Sequence, residues 1–314
     1  MTDPAVDPGA GAREPDDPWT RHMRRGDFAA AWAFSDEVLR ARAGVPCWHL
    51  PRHIQYVWTG APLVGKRVLV RCYHGLGDTI QFIRYVPLLR GVASEVTVWV
   101  QRSLLPLVRT VCGVDRAIEL HDGTPDAAYD EDVELMELPH VFRTTLATLP
   151  AEVPYLHVEP DSVEPDGNVA VGVAWQAGDW DERRSVPFEL LAPLADVRGV
   201  TLHVIQHRPA EAGWDGRTGI VPPSDRIADI ARLVAALDLV ITIDSMPAHL
   251  AGALGRRVWT MLPRDADWRW MEGREDSPWY PTMRLLRQER EGDWAPVVRR
   301  VAGELARLAT GQRV

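Results

Sequence analysis

Residues Arg71 to Tyr85 read RCYHGLGDTIQFIRY. β-forming residues run into a turn with two glycines, an acid follows, and apolar side chains then recur at helical spacing. A strand that ends in a glycine turn and opens a helix is the ligand-bearing corner of an α/β domain. A phosphate-binding corner offers bare amides or a lysine, yet this one carries Asp78. The pattern G-x-G-x-x-G is incomplete and G-x-x-x-x-G-K is absent, which speaks against a dinucleotide site and a P-loop. Asp78 to Gln81 spell a capping box with Asp78 at the N-cap and Gln81 at N3. Such a cap contributes about 1 kcal/mol without any catalytic part. A carboxylate at a helix start that faces a cleft can also take a proton from a substrate hydroxyl, so Asp78 is both cap and candidate base. His74 is a second candidate base, or a hydrogen-bonding scaffold residue. Gly75 and Gly77 are expected to turn the chain and let it approach a ligand.

Outward from this corner, strands and helices alternate. RVLVRCY, VTVWV, AIEL and DVELMEL read as strands, with helices over TIQFIRYVPLLRGV, LLPLVRTVCGV and Pro139–Leu149. Upstream, Gly26–Ala43 reads as one amphipathic helix. Val158–Asn168 is short, acidic and proline-bearing, as linkers are. A second series follows: VAVGVAW, VPFELLAPLADV, TLHVIQ, DRIADIARLVAALD, LVITI, PAHLAGALG, VWTML, MRLLRQ and a final helix over Trp294–Leu308. This rhythm predicts two doubly wound, mostly parallel α/β domains facing a cleft at the carboxyl ends of their strands. The expected divisions are a disordered tail at 1–17, domains at 18–159 and 160–290, and a C-terminal helix at 291–314 that has the option of packing back on the N-terminal domain.

A length of 314 residues agrees with two domains, and 46% apolar residues give them a sizeable core. A formal net charge of −9 excludes a nucleic-acid surface, which needs clustered positive charge, so any anion must be held locally. Lys66 is the one lysine; the other cations are arginines suited to bidentate contacts. Cys47, Cys72 and Cys112 are odd in number and lack metal-ligand spacing, which fits a cytoplasmic location. The start MTDPAVDPGAGAREPDDPW has neither the basic nor the apolar region of a leader. No apolar run is long enough for a membrane span.

Three further stretches carry candidate chemistry. In LDLVITIDSMPAHLAGALG an apolar strand ends at Asp244, Ser245 caps the next helix, and His249 lies one turn along it. Free amides at that helix start would cradle a phosphate; otherwise Ser245 only caps and His249 only fills a gap. In WQAGDWDERRSVP the group Arg183, Arg184 and Ser185 suits a diphosphate leaving group, unless Asp179, Asp181 and Glu182 simply neutralise it. Gln206, at the end of TLHVIQ, joins these donor-side candidates. In DADWRWMEGREDSPWYP, Trp268, Trp270 and Trp279 offer a stacking surface for a base or sugar, or else plug the loop to its domain. Asp265 and Asp267 form a D-x-D pair, too few oxygens for a hard cation, so no metal is expected.

GLGDTIQFIRYVPLL, DLVITIDSMPAHLAGALGRRVWTMLP and DWRWMEGREDSPWYPTMRLLRQEREGDW resemble the glycosyltransferase-like domain that follows tetratricopeptide repeats in many bacterial proteins, a relative of the heptosyltransferases of lipopolysaccharide synthesis. The resemblance runs from about Gly26 to the C-terminus, and GDFAAAWAFSDEVLRAR resembles the last helix of the repeat region. It implies the GT-B architecture, with a nucleotide-diphosphate sugar held by the C-terminal domain and a glycan, protein or small-molecule acceptor by the N-terminal one. It also implies inverting transfer without metal or other cofactor. The base then falls at Asp78, and the donor-binding residues at Asp244, Ser245, His249 and Arg184. His74 stands where the family usually has glutamine, and Met246 and Pro247 where small or aliphatic residues are usual. A sugar-nucleotide epimerase and a non-catalytic sugar-nucleotide or glycan-binding module are the alternatives on the same architecture.

Overall fold

The computed structural model describes residues 17–163, 167–178 and 181–312. The expected tail lies outside the described residues except for Asp17, whose carboxylate accepts from the Thr20 amide at 3.0 Å and caps the first helix. Asp179 and Trp180 of the arginine-bearing loop also lie outside them.

Helices α1 (Pro18–Arg24) and α2 (Phe28–Ala41) form a leading pair, of which only the second was legible as a periodic pattern. The first sheet follows, with β1 (Arg67–Arg71), α3 (Leu76–Phe82), α4 (Val86–Arg90), β2 (Glu95–Val100), α5 (Leu105–Val108), β3 (Arg116–Glu119), β4 (Glu131–Glu134) and α6 (Leu138–Val141). Its strands run parallel in the order β3-β2-β1-β4. The single helix expected over TIQFIRYVPLLRGV is two, joined by a 3-10 turn at Ile83–Tyr85, because Pro87 has no amide to continue the first. The helix expected from Pro139 to Leu149 stops at Val141, and Arg143 sits at a positive φ of 49°.

The second sheet comprises β5 (Val169–Val173), α7 (Ala192–Ala195), β6 (Val200–Val204), α8 (Ile227–Ala236), β7 (Leu239–Ile243), α9 (Met246–Ala253), β8 (Val258–Leu262), β9 (Met283–Arg287) and α10 (Ala295–Ala309). All five strands are parallel in the order β6-β5-β7-β8-β9. β7 and β8 are buried at every position, as apolar strands covered on both faces must be. α10 presents Val297, Val298, Val301 and Leu305 to this sheet, against Ile241, Trp259 and Leu286. It therefore packs on the second sheet, not back on the first, because that stripe matches the apolar face beneath it.

One apolar cluster runs from the first sheet through α3 and α9 into the second. It takes one face of the first sheet, with Val68, Val70, Val96 and Val98. Leu69 and Trp99 on the opposite face are buried but stand outside it. α3 lies directly on α9, and a Cβ on Gly77 would come within 3.0 Å of the His249 ring and 3.6 Å of the Met246 Cα. Gly77 therefore serves the close approach of a helix from the other domain, where a ligand had been expected.

Candidate active site

The HGLGD corner is built as a strand end and a helix start, but its cap differs from the expected one. α3 begins one turn earlier, with Gly75 at the N-cap and Asp78 at N3. Asp78 Oδ2 accepts from the Gly75 amide at 3.0 Å, the returning half of a capping box. Gly75 has an ordinary extended backbone, φ −66° and ψ 166°, so its lack of a side chain is not needed for the turn. Asp78 Oδ1 accepts from Arg269 Nη2 at 2.6 Å. The carboxylate is thus fixed at both oxygens, 27% exposed, and joined to a residue of the 3-10 turn between β8 and β9.

Arg269 went unnoticed in the sequence, although its place between two tryptophans marks it. It is buried, and its guanidinium also donates to Gln81 Oε1 at 2.9 Å and Asp267 Oδ1 at 2.8 Å. Burial would lower its pKa, but the Asp267 and Asp78 carboxylates outweigh that and hold it above the usual arginine value. Asp267 lies close to Asp244, the acid at the end of β7. Burial pushes the Asp244 carboxyl upward, Asp267 adds to the rise, and Arg184 opposes it. Asp78, Arg269 and Asp267 thus form one chain of ion pairs, and the charge of Asp267 acts in turn on Asp244.

Of the residues expected to bind a donor, Arg184 is buried and donates to the carbonyl oxygen of Asp244 at 2.9 Å. Arg183 is exposed and paired with Asp181 at 2.9 Å. Ser185 Oγ accepts from the Ala177 amide at 3.1 Å, and Gln206 Oε1 accepts from Trp175 and Gln176 at 3.0 and 2.9 Å. Ser185 and Gln206 therefore hold the ends of β5 and β6 in place. Ser245 is the N-cap of α9, yet its hydroxyl makes no cap bond and leans on the Ile243 carbonyl at 3.4 Å. Pro247 has no amide, and Ala248 already donates to the Ser245 carbonyl at 3.0 Å. Of the first three positions of α9, only Met246 keeps an amide for a ligand, a thinner cradle than expected.

His249 does not reach the cleft. It is buried between Gly77, Tyr280 and Trp270, with Nδ1 2.9 Å from the Tyr280 hydroxyl and its ring stacked on Trp270 at 5.4 Å. Burial, with Arg269 and Arg84 nearby, drives its pKa down to about 3, so it is a neutral packing residue. Trp268, Trp270 and Trp279 are also buried, at 5%, 0% and 0% exposure, and offer a ligand no stacking face. Trp268 meets Trp19 edge-on at 5.1 Å and Trp279 meets Phe28 at 6.3 Å. These indoles bind the loop to the leading helices and α3. The D-x-D acids are each taken by an arginine, Asp265 by Arg24 and Asp267 by Arg269.

His74 lies beside the corner with Nε2 3.7 Å from Glu134 Oε2, and Gln101 donates to the His74 carbonyl at 2.8 Å. Glu134 is buried at the end of β4, and burial raises its pKa well above the usual carboxyl value, with Glu137 reinforcing the rise.

A glycosyl transferase family 9 protein from Veillonella parvula superposes on 80% of this chain and 99% of its own with a TM-score of 0.60 and 14% identity. The ADP-heptose lps heptosyltransferase II of E. coli gives 0.54 over 78% of this chain and 99% of its own, with 15% identity. The chain has the GT-B fold. The iron-containing dodecameric glycosyltransferase TibC of enterotoxigenic E. coli shares it, with a TM-score of 0.54 and 14% identity over 81% and 82% of the two chains. In sequence, this GT-B chain is 30% identical over 292 residues to Protein FlbA of Caulobacter vibrioides, an alignment with 80% of this chain. It spans 48%, about half, of that curated relative's length. No family model matches the chain. No helix among the described residues is long and apolar enough to cross a membrane.

Proposed function

We propose that this chain is a glycosyltransferase that moves a sugar from a nucleotide-diphosphate donor to a hydroxyl of an acceptor, with inversion and without a metal. The observation that carries the reading is the Asp78 carboxylate, held at the start of α3 by the Gly75 amide and by Arg269 from the turn between β8 and β9. A carboxylate has about four lone-pair positions, and these two bonds leave room for a substrate proton. The acceptor oxygen attacks the anomeric carbon, its proton passes to Asp78, and the electron pair of the breaking bond leaves on the diphosphate. In this reading the Met246 amide and the Arg184 guanidinium meet that charge. The GT-B fold supports the reading, and TibC has been captured in complex with ADP-D-β-D-heptose, which makes that nucleotide sugar the first donor to try. Engagement of Asp265 and Asp267 by arginines supports the metal-independent route.

The test is thermal stability against a panel of nucleotide sugars. A donor at 100 times its Kd stabilises a fold that alone binds it by about 2.7 kcal/mol. Absence of a shift with every donor would overturn the reading. A binding-only module is the second reading, favoured by the thin amide cradle at α9; a donor shift with no turnover by any acceptor would establish it.

A further inference from the structure

The first sheet carries a second concavity on its far face, away from α3 and α9. It has a volume of about 650 Å³, within the range of small-ligand sites, and none of His74, Asp78, Asp244 or Ser245 lines it. In β1, β2 and β4 the register puts Arg71 opposite Trp99 and Leu69 opposite Asp132, so these side chains share that face. Arg71 is 7% exposed and acts as its hub. Its Nε donates to Asp132 Oδ2 at 2.7 Å, Nη1 to the Tyr73 hydroxyl at 2.6 Å and Nη2 to the Tyr129 hydroxyl at 3.1 Å.

This pairing fixes what the cavity can offer. Each phenol accepts from Arg71, so its own proton is left to donate, and neither has an acceptor among the described residues. Asp132 gives one oxygen to Arg71, which leaves Oδ1 without a protein partner among them. Trp48 lines the concavity with its ring 5.3 Å from the Arg71 guanidinium and is itself 57% exposed. The charges cancel: Arg71 with Asp132 at 2.6 Å, and Arg52 with Asp122 at 3.6 Å.

Two directed hydroxyl donors, a carboxylate acceptor and an exposed indole face without net charge do not suit a phosphate. They suit a ligand with hydroxyls on its rim and C–H groups on its face. We infer that this concavity binds a neutral sugar ring, independently of the nucleotide cleft and of the transferase reading. Trp48 stacks on the ring, and Asp132, Tyr73 and Tyr129 hold its hydroxyls.

The experiment screens the full chain by saturation-transfer NMR against neutral hexoses, N-acetylhexosamines and their methyl glycosides, with calorimetry on any that bind. At least one binds. Trp48→Ala weakens it about tenfold through the lost ring face, and Tyr129→Phe three- to tenfold through the lost hydroxyl. Trp48→Ala keeps the wild-type melting temperature, since Trp48 is exposed, whereas Tyr129→Phe lowers it slightly because Arg71 loses one acceptor, and its affinity is read on the folded protein at a temperature well below that transition. Binding persists in Asp78→Asn, which separates this site from the cleft. Failure of every neutral sugar to bind, affinity unchanged in both variants, or a preference for anionic sugars would each overturn the inference.

Discussion

Asp78 and Arg269 lie 191 residues apart in the chain, yet their side chains meet at 2.6 Å and join α3 to the turn between β8 and β9. The guanidinium is buried and serves Gln81 and Asp267 as well. Removing one partner of a buried charge pair leaves the others unpaired, at a cost of about 3–5 kcal/mol. Arg269→Met is therefore expected to lower the denaturation free energy by that amount. A loss below 1 kcal/mol in urea unfolding would show that the network does not hold the domains.

Asp78→Asn removes the proton acceptor and keeps the shape. Transfer is expected to fall by roughly 10²–10⁴, the usual contribution of a general base. Donor affinity is expected to stay at the wild-type value. Unchanged turnover in a coupled nucleotide-release assay would leave Asp78 with its structural bonds only.

Trp279 is wholly buried, its indole N–H donates to the Arg269 carbonyl at 2.9 Å, and Arg84 donates to its own carbonyl. Trp279→Ala is expected to cost about 3–5 kcal/mol, as large-to-small core changes do. Nucleotide-sugar affinity measured on the remaining folded protein should not move. A selective loss of affinity with stability intact would restore the stacking role.

Gly252 on α9 has no room for a side chain, since a Cβ would fall 2.4 Å from the Tyr280 ring. Tyr280 in turn holds His249 and is bracketed by Arg84, whose guanidinium lies 4.4 Å from its ring centre. Gly252→Ala is expected to destabilise by about 1–3 kcal/mol through overpacking. Thermal unfolding checks this, and a gain from the added helix propensity would contradict the packing.

His249 also sets a pH dependence. Its folded pKa, about 3, lies below its ordinary 6.5, so between these values the unfolded chain holds a proton that the folded one does not. The stability it confers is complete above pH 6.5 and is lost as pH falls toward 3, by up to about 1.4 kcal/mol per pH unit. Asp244, raised in the fold, acts with the opposite sign as pH climbs through the acid range. The difference between wild type and His249→Gln isolates the histidine. The variant should lose less stability on acidification, and parallel pH profiles would refute the assignment.

Much of the architecture was legible because it rests on local pattern. The runs RVLVR and LVITI are too apolar and β-branched to lie anywhere but in buried strands, and α10 repeats its apolar stripe at helical spacing. Pro87 broke a helix that the apolar pattern alone would have continued. The place of Asp78 at the first strand's corner was also readable, though not its position at N3, since a cap depends on where the first helical bond closes.

The sequence by itself settled two parallel α/β units, their strand order along the chain, and an acid at the ligand-bearing corner. Only the tertiary structure decided what those residues meet. It turned three tryptophans inward, neutralised His249 by burial, gave Gly77 to a helix, and brought Arg269 to Asp78. The physical reason is range: periodicity and propensity act over a few residues, whereas burial and pairing depend on side chains brought together from nearly two hundred residues away, 191 in the case of Asp78 and Arg269.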